Sequence, residues 1–208
     1  MNASQILTAD EIQQAIADLN RRAKRSLNSR INRIVFRLSC CCGLRRCEIS
    51  GLVLRDIVLS ASRPVIKVRK DNTKGMKERR RSRLVPLWWD AGTLADIKEW
   101  VEWRTAETGD VAAPVVFSPR TNRSVTVGKI SIRWRTAIRC LGPERVKQVS
   151  CHAGRHSFVS HALYRGRSLA EVRDAVGHGS IATTSIYAHA ISDENVPDIF
   201  GNTKGTDA

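Results

Sequence analysis

The sequence predicts a mainly α-helical domain carrying one small antiparallel β-sheet, a mixed α+β arrangement. Apolar residues recur at helical spacing in most segments, as in Ile12, Ile16 and Leu19, or Ile31, Ile34, Val35 and Leu38. Two short apolar runs, 64–68 and 83–87, read as strands, and the long basic stretch 69–81 joins them as a hairpin. With 208 residues, 42% of them hydrophobic, the chain is long enough to bury its own core as one large domain.

The elements follow in order. Thr8 can cap a first helix, with Glu11 at the capping-box position and Leu7 and Ile12 placed to form a hydrophobic staple. A basic stretch comes next: Arg21, Arg22, Lys24, Arg25, Arg30, Arg33 and Arg37. The apolar stripe from Ile31 to Leu38 carries a second helix into a cysteine cluster, Cys40, Cys41 and Cys42, which Gly43 ends. A short helix over 47–52 follows the turn that holds Arg45. Beyond the hairpin, residues 91–105 form a helix with Leu94, Ile97 and Val101 inward, and 115–117 a short strand or buried turn. Residues 127–141 form a helix whose polar side carries Arg133, Arg135 and Arg139. The helix 153–164 has Phe158, Val159, Ala162 and Leu163 as its apolar face and stops at Gly166; His152 precedes it. Ser168 caps a helix to about Val176, and 183–190 forms the next, carrying Tyr187. The end of the chain, 192–208, holds one apolar patch at 196–200.

Composition narrows the function. A net charge of +15 favours a polyanionic partner. Arginine far outnumbers lysine, which suits phosphate recognition. The arginines of 21–37 and the hairpin are expected to lie along phosphates. No apolar run is long enough to span a bilayer and no signal-peptide pattern opens the chain, so a cytoplasmic, nucleoid-associated protein is expected. The six cysteines (Cys40, Cys41, Cys42, Cys47, Cys140, Cys151) lack paired metal-ligand spacing and read as small apolar filler rather than a zinc site or disulfide framework. No metal and no cofactor is expected.

The chemistry concentrates in residues 151–189, which contain CHAGRH, VGHGS and TTSIYAH. His152 and Arg155 are three apart, His178 follows Arg155 by 23 residues, and Tyr187 follows His178 by nine. Arginine clamps phosphate oxygens with its planar fork, histidine moves protons near neutral pH, and tyrosine can act as a covalent nucleophile. Upstream, residues 43–49 read GLRRCEI and place Glu48 three after Arg45; residues 73–79 read TKGMKER and offer Lys74 and Lys77. These residue types together make a site for handling a phosphodiester.

An arginine in a G-L-R-x-x-E turn, a lysine in a β-hairpin, H-x-x-R, a G-H pair and a tyrosine nine residues later occur here in that order. In this the chain resembles the tyrosine recombinase, or phage integrase, family, over about residues 7–189. The resemblance implies a catalytic domain over 1–190, and a tail, 191–208, that docks on its own protomer or on a neighbour. It implies that Tyr187 is the nucleophile of a 3′-phosphotyrosine intermediate and that Arg45 and Arg155 grip the non-bridging oxygens. His152 takes the proton-handling position, His178 the phosphate hydrogen-bonding position, and Lys74 that of the general acid. Lys70 and Lys77 rival Lys74, because Arg80, Arg81 and Ser82 intervene before the second strand. Glu48 supports an active-site side chain. Arg46, Lys70, Lys77, Arg79, Arg80, Arg81, Arg133 and Arg135 are candidate DNA contacts. Only six residues precede the matching segment, where longer relatives carry a DNA-clamping domain; the sequence therefore reads as a short form similar to the DNA invertases. Double-stranded DNA, a tetramer assembled on it and accessory DNA-bending proteins are the partners implied, with no membrane. Two other functions share these features: strand relaxation of the type IB topoisomerase kind, and DNA binding without cutting by a regulator.

Overall fold

The computed structural model describes residues 6–72, 82–178 and 184, and in them the expected helical domain with a small sheet is present. Helix α1 (Ala9–Ala23) begins at the predicted capping box: Thr8 accepts from the Glu11 N–H and the Glu11 carboxylate accepts from the Thr8 N–H. Helix α2 (Leu27–Phe36) buries Ile31, Ile34, Val35 and Phe36, and Phe36 stacks on Trp134 with ring centroids 5.5 Å apart. Helix α2 does not continue regularly into the cysteines. Arg37–Cys41 forms a π-turn, a wider coil with one extra residue, and Cys40, Cys41 and Cys42 are buried within and just after it. Gly43 then turns the chain at φ 65°.

The short helix predicted at 47–52 is α3 (Arg46–Ser50). The sheet has three strands rather than two: β1 (Ile57–Val58), β2 (Val65–Val68) and β3 (Arg83–Pro86), all antiparallel in that order. The register pairs Ile57 with Ile66, Ile66 with Val85 and Val68 with Arg83. β1 is too short for an alternation signal, so it was not legible. The root of the basic hairpin is anchored. Arg69 pairs with Asp56 at 2.9 Å, and Asn72 Nδ2 donates to the Glu48 carbonyl at 3.0 Å.

Helix α4 (Ala91–Thr108) is capped by Asp90 and stopped by Gly109. Helix α5 (Val127–Ala137) ends earlier than predicted: a 3-10 turn, Arg139–Leu141, leads to Gly142 at φ 86°, and Pro143 opens α6 (Pro143–Gln148). Helix α7 (Cys151–Tyr164) starts two residues before the predicted limit, so His152 lies inside its first turn. Helix α8 (Leu169–Val176) is capped by the predicted Ser168, which also pairs with Glu171 in a capping box. Helix α7 packs on the π-turn through one face and on α8 through Phe158, Val159 and Ala162.

Two long-range features matter below. The N-terminal segment is pinned to α7: the Leu7 N–H donates to Ser157 Oγ at 2.8 Å, and His161 Nε2 lies 2.8 Å from the Leu7 carbonyl. The basic stretch of α1 and α2 divides: Arg21, Lys24 and Arg25 are exposed, whereas its other arginines are engaged within the protein. Arg33 and Arg37 are buried against α4, with Arg37 Nε donating to Asp96 at 2.7 Å and Arg33 Nη2 to Glu99 at 2.8 Å. Arg22 pairs with Asp18 and donates to the last carbonyls of α5, and Arg30 lies 4.3 Å above the Trp103 ring. Helical spacing turns Arg33 and Arg37 inward, where acidic residues distant in sequence satisfy them.

Candidate active site

Arg45 sits at the N-cap of α3, in the turn that Gly43 makes possible. A Cβ on Gly43 would lie 2.5 Å from Phe158 Cδ1, so both the positive φ and the close approach of α7 require glycine here. Glu48, one turn into α3, closes back on the cap. Its Oε2 accepts from the Arg45 N–H at 2.8 Å and its Oε1 from Arg45 Nη1 at 3.0 Å. Arg46 faces elsewhere, as the motif implies, and donates to Ser131 Oγ of α5 at 2.8 Å.

Arg155 projects from α7 into the same region and is 2% exposed. Its Nη1 donates to the Gly43 carbonyl at 2.7 Å and its Nη2 to the Val176 carbonyl at 2.5 Å. These bonds fix the plane of a group with five donors. Arg45 Nη2 reaches the next carbonyl along, Gly177, at 3.5 Å. Two guanidiniums from different helices therefore meet at the turn from which His178 leaves α8. Gly177 makes that turn at φ 67°.

His178 is half-buried, and its Nδ1 lies 3.0 Å from Thr184 Oγ1. When the Thr184 hydroxyl donates, the His178 tautomer carries its proton on Nε2, where it can donate to an acceptor. Burial pushes the His178 imidazole down to about 4, and the positive charges of Arg155 and Arg45 add to the effect. It is neutral near pH 7.

His152 is exposed on the first turn of α7, after Ser150 caps the helix. One turn later His156 packs edge-on against it with ring centroids 4.4 Å apart. Burial, then His152 and Arg155, lower His156 to about 4. His156 thus belongs to the site's histidine cluster, and its position one helical turn after His152 was the available signal. His161 faces Leu7 instead. Cys151 is no rival nucleophile: burial pushes its thiol up to about 11.

Arg83 is the second residue that the sequence motifs do not single out; by pattern it is merely the start of a strand. It holds Glu48 with both Nη groups at 2.8 and 2.7 Å. Burial alone would raise the Glu48 carboxyl, but Arg83 and then Arg45 override it and hold it below the ordinary range.

The candidate DNA contacts divide. Lys70 lies in the turn at the hairpin root. Arg135 is exposed on α5. Arg133 is half-buried and bonds Asn32 at 3.0 Å and Asn28 at 3.2 Å, lining a groove of about 540 Å³ with Arg120, Lys129 and Ile132. Lys74, Lys77, Arg79, Arg80, Arg81, Tyr187 and the tail lie outside the described residues.

Known proteins share this fold. The tyrosine recombinase XerC of Xanthomonas axonopodis pv. citri is 32% identical over 185 residues, 89% of this chain and 54% of that protein. XerC of Azotobacter vinelandii is 34% identical over 149 residues, 71% of this chain and 44% of that protein. The chain thus spans about half the length of these curated relatives. Among solved structures, the XerA recombinase superposes with a TM-score of 0.69 at 22% identity, covering 88% of this chain and 58% of that one. XerH bound to its palindromic difH substrate, in a post-cleavage complex, superposes with a TM-score of 0.67 at 24% identity, covering 90% of this chain and 50% of that one. The model of the phage integrase family matches residues 5–194, a span that takes in every element from α1 to the turn holding His178, and the chain accordingly belongs to that family as a tyrosine recombinase catalytic domain.

Proposed function

We propose that this chain cuts and rejoins double-stranded DNA as a site-specific recombinase, through a 3′-phosphotyrosine intermediate. The observation that carries this reading is the meeting of Arg45 and Arg155 on the adjacent carbonyls of Val176 and Gly177, directly before His178. Fixed cations there match the charge that grows on the non-bridging oxygens of a pentavalent phosphorus, and so favour the transition state over the ground state. Neutral His178 donates to the same oxygens through Nε2. The Tyr187 hydroxyl attacks phosphorus, His152 takes part in moving its proton, and the 5′-oxygen leaves with a proton from Lys74. A 5′-hydroxyl of the other strand then attacks the phosphotyrosine, returns the phenol and restores the diester, so no bond energy is lost and no cofactor is needed.

Exchange between two duplexes needs four such sites, which motivates a tetramer on DNA, with the tail 191–208 docking on a neighbouring protomer and accessory proteins bending the DNA. Structurally similar recombinases have been seen bound to DNA: XerH on difH and the λ integrase on a COC′ core site. Among the described residues no helix is long and apolar enough to cross a membrane.

The test is adduct formation on duplexes that the wild-type protein enriches from a random library, nicked close to the scissile phosphate. Tyr187→Phe is expected to abolish the covalent adduct and to leave binding nearly unchanged, because only a hydroxyl is lost. An adduct at full yield in the Phe variant rules out Tyr187. Relaxation of a supercoiled plasmid without strand exchange would instead support type IB-like chemistry, and binding without any adduct would support a regulator.

A further inference from the structure

Arg83 enters the site from the sheet, and all three edges of its guanidinium are engaged. Nη1 and Nη2 donate to Oε1 and Oε2 of Glu48 at 2.8 and 2.7 Å, and Nε donates to the Ala175 carbonyl at 2.8 Å. The Glu48 side chain is fully buried and the Arg83 side chain 8% exposed. The same carboxylate also accepts from the Arg45 N–H and Arg45 Nη1. One buried anion therefore lies between two cations, one of them a candidate phosphate ligand.

A buried carboxylate facing a single arginine draws it into a two-pronged pair, because an uncompensated charge in the interior is costly. Arg83 already provides that two-pronged pair, one bond to each oxygen. Arg45 is left with one side-chain bond to Glu48 and points its other Nη toward Gly177, 26% exposed. Arg83 also shapes the turn before His178: a Cβ on Gly177 would lie 2.9 Å from Arg83 Cδ. At the start of β3, paired with Val68, it stands where the hairpin holding Lys74 rejoins the sheet.

We propose that Arg83 is a positioning residue: by neutralising Glu48 it keeps the Arg45 fork turned toward the scissile phosphate instead of collapsed onto Glu48, and it ties that fork to the His178 turn. What Arg45 is held ready to do rests on the recombinase reading; the holding itself does not.

The experiment therefore has a DNA-free arm. Exchange of the Arg45 side-chain N–H protons with water is followed by NMR in the wild type, Arg83→Gln, Glu48→Gln and the double variant. Exchange is expected to slow about tenfold in Arg83→Gln, the scale of one charge-assisted hydrogen bond, and to recover in the double variant. Unchanged Arg45 exchange in Arg83→Gln overturns the inference. The second arm measures adduct formation on the nicked duplexes described above. Glu48→Gln is expected to slow it in the wild-type background and to speed it in the Arg83→Gln background. Equal loss in both backgrounds would mean a merely structural role. Should Arg83→Gln not fold, Arg83→Lys takes its place in both arms, because it cannot span both oxygens; the same signs are expected at smaller size. A wild type that binds but forms no adduct counts against the recombinase reading and leaves the NMR arm to decide on Arg83.

Discussion

His178 and His156 are neutral for a physical reason that also makes the fold sensitive to acid. Both lie partly out of water, beside Arg155 and beside each other, and both are lowered to about 4 from an ordinary value of 6.5. The unfolded chain therefore binds more protons than the folded one across that window. Their contribution to stability is fully present above about 6.5 and is lost as the pH falls through about 4. Chemical denaturation at a series of pH values should show this loss, and His156→Asn should make it shallower. An identical pH slope in that variant would mean that His156 does not titrate as its surroundings imply. A bound phosphate adds negative charge opposite these rings and raises their folded-state values toward 6.5, so target DNA should make the loss smaller.

Helix α7 is the element that brings most of the site together, and Gly154 sets its distance from the π-turn. A Cβ there would lie 2.5 Å from Ser39 Oγ and 2.6 Å from the Trp134 ring. Gly→Ala in a helix gains about 1 kcal/mol of propensity, whereas overpacking costs about 1–3 kcal/mol. Gly154→Ala is expected to be neutral to destabilising and Gly154→Val clearly destabilising, with adduct formation falling as Arg155 moves away. Gly128→Ala in α5 is the control, since a Cβ there meets nothing within 4 Å. Gly154→Val with wild-type thermal stability would contradict the packing. The capping box at Thr8 and the cap at Ser168 were legible in the sequence because the groups they satisfy lie three residues away. The π-turn was not, because close packing of α7 accompanies it and local spacing carries no trace of that. Arg83 was hidden for the same reason: its carboxylate partner is 35 residues distant. The motif residues Arg45, His152, Arg155 and His178 were legible as a set because spacing along the chain encodes them, while the inward turn of Arg33 and Arg37 depends on Asp96 and Glu99, which no local pattern links to them.

Across the whole molecule, the count of 35 lysines and arginines overstates the positive surface available to a polyanion. Much of the arginine of α1 and α2 neutralises acidic side chains inside the protein, and neutralising Arg33 or Arg37 should destabilise the fold rather than weaken DNA binding selectively. The phosphate-facing charge is expected in the hairpin and on the exposed side of α5. Replacing Arg79, Arg80 and Arg81 by glutamine should flatten the dependence of log affinity on log salt by about 0.9 for each phosphate that the hairpin no longer neutralises. An unchanged slope would place the hairpin away from the DNA backbone.

The grip of α7 on Leu7 has a mechanical consequence. The backbone of the first described turn is fastened, through Ser157 and His161, to the helix that presents His152 and Arg155. Any polypeptide joined ahead of Ile6 would hang from that point, and a pull on it would load α6 through Arg145, which donates to the Ile6 carbonyl at 2.7 Å, and α7 through Ser157 and His161. A tag, a fused partner or a tether attached there becomes a handle on the reaction centre, with Ser157 and His161 as its rivets.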